Sequence, residues 1–159
     1  MTRFSWYGYA TEVDEPATRS CYAQAPDWDC PCGHCRNFLA LARERRLPEE
    51  LLAILNSLSI PPEKATYVCE LDSRDWETKG VLYEVSWRIA GTVVKQPASR
   101  ENEGTPWGPP SWLRSCWLML GHETCPVEPD FPEPNFDLDV SLYLPWVLDE
   151  PVDGRKEES

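Results

Sequence analysis

An α+β fold built on a mainly antiparallel sheet is what the order of hydrophobic periodicities predicts. An aromatic-rich strand comes first, two stretches at helical spacing follow, and the rest of the chain alternates with period two. The 159 residues supply one hydrophobic core and no more. Sixteen prolines divide the chain into short elements, and eight tryptophans give those elements large apolar anchors. The expectation is one domain over residues 1–151 and a frayed polar tail over 152–159. The sheet has about five strands, with a helical hairpin from the N-terminal half on one side.

The run Arg3-Phe4-Ser5-Trp6-Tyr7-Gly8-Tyr9 predicts the first strand, ended by Asp14-Glu15-Pro16. A short strand is expected near Ser20-Cys21-Tyr22-Ala23, before the loop Pro26-Asp27-Trp28-Asp29. A helix beginning near Cys35 is read from Phe38, Leu41, Ala42 and Arg45, with Leu39 widening the stripe. The second helix follows Leu47. Pro48 suits its first turn, Glu49 and Glu50 suit the positive end of its dipole, and Leu51, Leu52, Ile54, Leu55 and Leu58 form its apolar face. Ile60-Pro61-Pro62 stops it.

From Thr66 the period becomes two. Tyr67, Cys69 and Leu71 share one side, which makes Cys69 a core residue in this reading. Val81, Tyr83, Val85, Trp87 and Ile89 alternate with Glu84, Ser86 and Arg88 in the clearest strand, with Glu77-Thr78-Lys79-Gly80 as the turn before it. A Pro-rich loop runs from Gln96 to Pro110; Trp107 and Trp112 are read as packing that loop down, ahead of the alternative that they form an exposed patch. Leu113 to Leu120 is apolar on both sides and predicts a central strand. Phe136, Leu138, Val140, Leu142 and Leu144 then alternate with polar neighbours. Trp87, Trp117 and Trp146 read as core anchors.

Twenty-seven acidic against fifteen basic residues give a net charge of −12, which argues against direct nucleic-acid binding, since that needs cations to displace counterions. No apolar run approaches the roughly 20 residues a spanning helix needs, and no secretory h-region is visible. The expectation is a soluble cytoplasmic protein. The charge is uneven. Residues 31–114 hold eleven acidic and eleven basic residues, whereas 115–154 hold nine acidic residues and no Lys or Arg. Alternation places Asp137 and Asp139 together, away from the core, and with Glu128, Asp130 and Glu133 they form the expected partner-binding surface.

Seven cysteines without an export signal speak against a complete disulfide framework. The sharpest motif is Cys30-Pro31-Cys32-Gly33-His34-Cys35-Arg36-Asn37-Phe38. A two-residue gap lets one turn present Cys32 and Cys35 to a tetrahedral ion, and Cys30 offers a third thiolate. One structural zinc is the expected cofactor, with the fourth ligand open among Cys21, His34, Cys69, His122 and Cys125. Two other readings stand beside it. A thiol pair at a helix N-terminus can exchange disulfides, although the surrounding pattern lacks the parallel crossover of redox folds. Buried cysteines are also ordinary packing residues. Arg36 and Asn37 are expected to satisfy backbone groups of the preceding turn. No hydrolase elbow, phosphate loop or His-Glu-x-x-His helix is present, so no catalytic residue is assigned.

Three blocks, Cys32 to Phe38, Leu58-Ser59-Ile60-Pro61-Pro62-Glu63-Lys64, and Leu144-Pro145-Trp146-Val147-Leu148-Asp149-Glu150-Pro151, resemble a family of small uncharacterised bacterial and prophage-associated proteins. The resemblance spans roughly Cys30 to Pro151 and implies a stand-alone domain with no known activity. Two functional classes follow. The first is a non-enzymatic acidic interaction module, an inhibitor from a mobile element that covers a basic, nucleic-acid-binding surface of its protein target. The alternative is a thiol- or metal-dependent enzyme, redox or hydrolytic, using Cys30, Cys32 and Cys35.

Overall fold

The computed structural model describes residues 1–98, 107, 111–112, 116–122, 126–127 and 130–152. The opening aromatic run forms a hairpin, β1 (Thr2–Trp6) and β2 (Tyr9–Val13), where one strand was expected. Tyr7 and Gly8 carry φ of 51° and 91°, the pair of left-handed conformations that a two-residue turn needs to match strand twist. Gly8 was the turn signal, hidden among aromatics of high strand propensity.

The second correction is at Ser20–Ala23, which lies inside a helix, α1 (Glu15–Gln24). The Asp14 carboxylate accepts the Ala17 N–H at 3.0 Å, and Pro16 occupies the first turn. Asp-Glu-Pro is therefore a helix start here as well as a strand end. The expected helical hairpin is present as α2 (Gly33–Arg43) and α3 (Glu49–Ser57), followed by a 3-10 turn at Pro62–Lys64. Phe38, Leu41, Ala42, Leu51 and Leu55 are wholly buried.

The remaining strands are β3 (Tyr67–Asp72), β4 (Val81–Lys95), β5 (Ser111–Trp112), β6 (Cys116–Gly121) and β7 (Asn135–Leu144). The sheet has seven strands in the order β1-β2-β4-β7-β6-β5, with β3 also paired to β4, and every pairing is antiparallel. The expected strand over Leu113–Leu120 is β6 from Cys116 onward; residues 113–115 lie outside the described residues, as does most of the Pro-rich loop. Trp107 lies against Gly121, where a Cβ would meet its ring at 2.3 Å, so a side chain at 121 would displace the indole.

β4 organises the molecule because it changes partner along one edge. β3 pairs with it up to Ser86, and β2 pairs with it from Gly91. The edge between would carry unpaired backbone groups, and α1 meets them. Thr18 Oγ1 accepts the Ala90 N–H at 3.2 Å, the Asp14 N–H donates to Ala90 O at 2.9 Å, and Tyr22 Oη donates to Arg88 O at 2.7 Å. Gly91, at φ 146°, passes so close to β2 that a Cβ would stand 2.2 Å from Glu12 O.

One sheet face carries Val81, Tyr83, Val85, Trp87 and Ile89 with Phe136, Leu138, Val140, Leu142, Leu118 and Leu120, all buried. Phe38 of α2 packs on Tyr83 and Trp87, and Trp87 Nε1 donates to Pro62 O at 3.2 Å, so α2 and the 3-10 turn cover this face. In β3 the expected faces are exchanged. Val68 is buried, whereas Tyr67 and Leu71 are 46% and 48% exposed and Cys69 is half-buried opposite Glu84. Four of the six residues are apolar, so the alternation did not settle which face is inward. Val152 was assigned to the frayed tail and is instead buried in the core, while residues 153–159 lie outside the described residues. Among the described residues no helix is long and apolar enough to cross a membrane.

Candidate metal centre

The Sγ atoms of Cys30, Cys32 and Cys35 all lie within 4.8 Å of one another, and Cys30 and Cys32 are 3.4 Å apart. Zinc–sulfur bonds of roughly 2.3 Å at tetrahedral angles put sulfurs about 3.8 Å apart, so the three thiols are spaced for one ion. The local chain explains the gathering. Pro31 separates Cys30 from Cys32, which is the N-cap of α2, with ψ 157°. Its sulfur accepts the Cys35 N–H at 3.4 Å, and its carbonyl accepts the Arg36 N–H at 3.0 Å. The first turn of α2 then swings Cys35 back beneath the loop, where it is buried; Cys32 is exposed and Cys30 half-buried.

Without an ion, Cys30 and Cys35 hold their protons unequally. The Cys32 N–H and the Cys35 thiol donate toward Cys30 and lower its pKa, whereas burial pushes the Cys35 thiol up to about 12. Three thiolates this close repel unless a cation stands among them. A metal ion among them would supply that charge.

The loop is tied at both sides. Arg36 Nε donates to Pro31 O at 3.0 Å, the preceding-turn role expected of it, while its other nitrogens grip the Glu150 carboxylate, one at 2.8 Å. Asn37 reaches further than expected. Its Nδ2 donates to Pro145 O at 3.0 Å and to Tyr83 Oη at 3.3 Å, and its Oδ1 accepts the Val147 N–H at 2.8 Å. Tyr83 Oη donates in turn to His34 O at 2.6 Å, and the His34 ring meets Trp146 edge-on. The first and last of the three sequence blocks are thus one contact surface. The middle block holds the other flank, since Glu63 O accepts the Trp28 N–H at 2.8 Å and Lys64 Nζ donates to Tyr22 O at 2.7 Å.

None of the described candidates for a fourth ligand joins the group. His34 Nε2 bonds Ser73 Oγ at 3.0 Å. His122 accepts the Val93 N–H at Nε2 and bonds Asn135 O through Nδ1, both at 3.2 Å, which fixes its proton on Nδ1. Cys21 lies in α1, Cys69 in β3 with its thiol donating to Glu70 O, and Cys125 is outside the described residues.

The acidic surface needs the largest correction. Asp137 and Asp139 do share the face opposite Phe136 and Leu138, but they are only 6% and 3% exposed. Asp137 forms a buried ion pair with Arg88 at 3.0 Å, across the β4–β7 register. Asp139 accepts the Ser86 hydroxyl at 2.6 Å, and burial first, then the neighbouring Glu84 and Asp137 carboxylates, push its pKa up to about 8. Neither carboxylate is open to solvent. Asp130 and Glu133 are exposed, as expected, and Glu128 lies outside the described residues. Arg88 was placed on the face opposed to the core, where it stands; that a Ser-x-Arg strand stood opposite Asp-x-Asp was the signal available for these pairs.

Compared with protein-family models, curated proteins and solved structures, the chain matches none.

Proposed function

We propose that this is a non-enzymatic acidic interaction module, stapled by a structural zinc, whose target is a protein with a basic surface. The supporting observation is where the exposed carboxylates stand once Asp137 and Asp139 are removed from the account. Asp130 and Glu133 line an open cleft of about 920 Å³ together with His122, Phe131 and Asn135. Its one lysine or arginine among the described lining, Arg88, is neutralised by Asp137. A concave acidic surface with an aromatic wall suits an inserted Arg or Lys, and its field speeds encounter with cationic proteins. Zinc suits the neighbouring role, because a thiolate-rich set selects it and closing the loop converts metal affinity into folding energy.

The test is a fluorescence titration with an oligo-arginine peptide across a range of salt concentrations. Binding should weaken steeply with salt, and Asp130→Lys with Glu133→Lys should abolish it while the melting curve is unchanged. Binding indifferent to both salt and charge reversal would make these residues a solvated face and nothing more.

A further inference from the structure

Among the described residues, a single buried side-chain nitrogen or oxygen lacks a hydrogen-bond partner, and it is Trp28 Nε1. A buried indole N–H without an acceptor is costly, and native structures retain such a group where it has a role in another state. The group that answers it is the Cys35 sulfur, the innermost of the three thiols, toward which the indole N–H is a weak donor that lowers the thiol's pKa against the larger opposing effect of burial. The indole is not free to turn elsewhere. Its backbone N–H is fixed to Glu63 O at 2.8 Å, its ring packs against the core, and Asp27 beside it is paired with Arg43 at 2.9 Å.

We propose that Trp28 is the outer-sphere donor of the metal centre: its Nε1–H, a weak donor toward the Cys35 thiol in the metal-free chain, becomes a full hydrogen bond to the Cys35 thiolate when an ion is bound. This rests on reading Cys30, Cys32 and Cys35 as metal ligands. A neutral thiol is a weak acceptor, so the N–H gains little from it. A metal-bound thiolate keeps negative charge on sulfur and accepts well, and the donor in return spreads that charge and orients the ligand. Cys30 and Cys32 meet water; Cys35 does not, so it is the thiolate that most needs a protein donor. The strong acceptor that the indole lacks in the metal-free geometry and the charge that would hold three thiolates together are then supplied by one event.

The experiment compares the wild-type protein with Trp28→Phe, which keeps an aromatic ring and deletes the N–H. Zinc affinity is measured by competition with a chromophoric chelator, and cobalt(II) replaces zinc for absorption spectra. Trp28→Phe should bind zinc 10- to 100-fold more weakly, the range for loss of an outer-sphere partner. Its thiolate-to-cobalt charge-transfer band should move to lower energy, which a packing defect alone would not cause. In the wild-type protein the Trp28 indole proton should shift downfield and exchange more slowly on zinc addition, a readout that needs no variant. One zinc per chain with unchanged affinity, band and indole resonance would overturn the inference and leave the metal reading standing. A wild-type protein that takes up no zinc or cobalt would overturn both.

Discussion

Among the described residues, two crowded clusters of ionisable groups are built in opposite ways. The thiols of Cys30, Cys32 and Cys35 come from one short loop, and a single helix start brings them together. The cluster of Glu84, Ser86, Arg88, Asp137 and Asp139 is assembled by strand register, with partners 49 and 53 residues apart. The buried cluster answers its own charge. Arg88 neutralises Asp137, and Asp139 keeps its proton near neutrality. The cysteine cluster could instead hold a metal ion, whose charge would offset that of its thiolates. The contiguous motif could thus receive an ion from outside, whereas the cluster made by register is internal structure.

Breaking the internal compensation should give the largest effect. Arg88→Met strands the Asp137 carboxylate in the sheet and is expected to cost about 3–5 kcal/mol, read by urea denaturation. The double variant Arg88→Met with Asp137→Leu should recover most of that loss. A small effect of the single variant would mean that water reaches this pair and the two clusters differ less than described.

The next effect is a pH dependence. The folded pKa of Asp139, about 8, stands above the ordinary carboxylate value. Its stabilising contribution is complete below the unfolded value, near pH 4, and is lost as pH rises through 8, at up to about 1.4 kcal/mol per pH unit. Urea midpoints should fall over that window in the wild-type protein. Asp139→Asn keeps an acceptor for Ser86 and should flatten the slope; an unchanged slope in the variant would assign the titration to another group.

The smallest effect sharpens the cysteine side. Arg36 and Glu150 remain accessible to water, so Glu150→Gln should lower stability by less than about 1 kcal/mol. Asn37→Ala, which removes three buried or half-buried hydrogen bonds, should cost distinctly more, because it also frees the Pro145–Val147 segment.

How much of this was legible follows the same division. The α2–α3 hairpin, β4 and β7 were readable because apolar spacing is a local property. So was the cysteine cluster. The strand expected at Ser20–Ala23 failed because helix-start chemistry at Asp14 was taken as a stop. The exposure of Asp137 and Asp139 failed for a deeper reason. Alternation says which residues share a face, but distant segments decide whether that face is wet. Trp28 was invisible as a functional residue, since only the fold brings its indole to Cys35.

The central claim is that an ion completes the cysteine cluster. Elemental analysis of protein purified without chelator, paired with melting curves before and after EDTA, tests it most directly. The expected result is one zinc per chain, lost in Cys35→Ser. EDTA should lower the wild-type melting temperature to that of the variant, a loss of about 3 kcal/mol where free zinc stands a hundredfold above its Kd. Metal-free protein whose melting is indifferent to added zinc, EDTA and Cys35→Ser would contradict it.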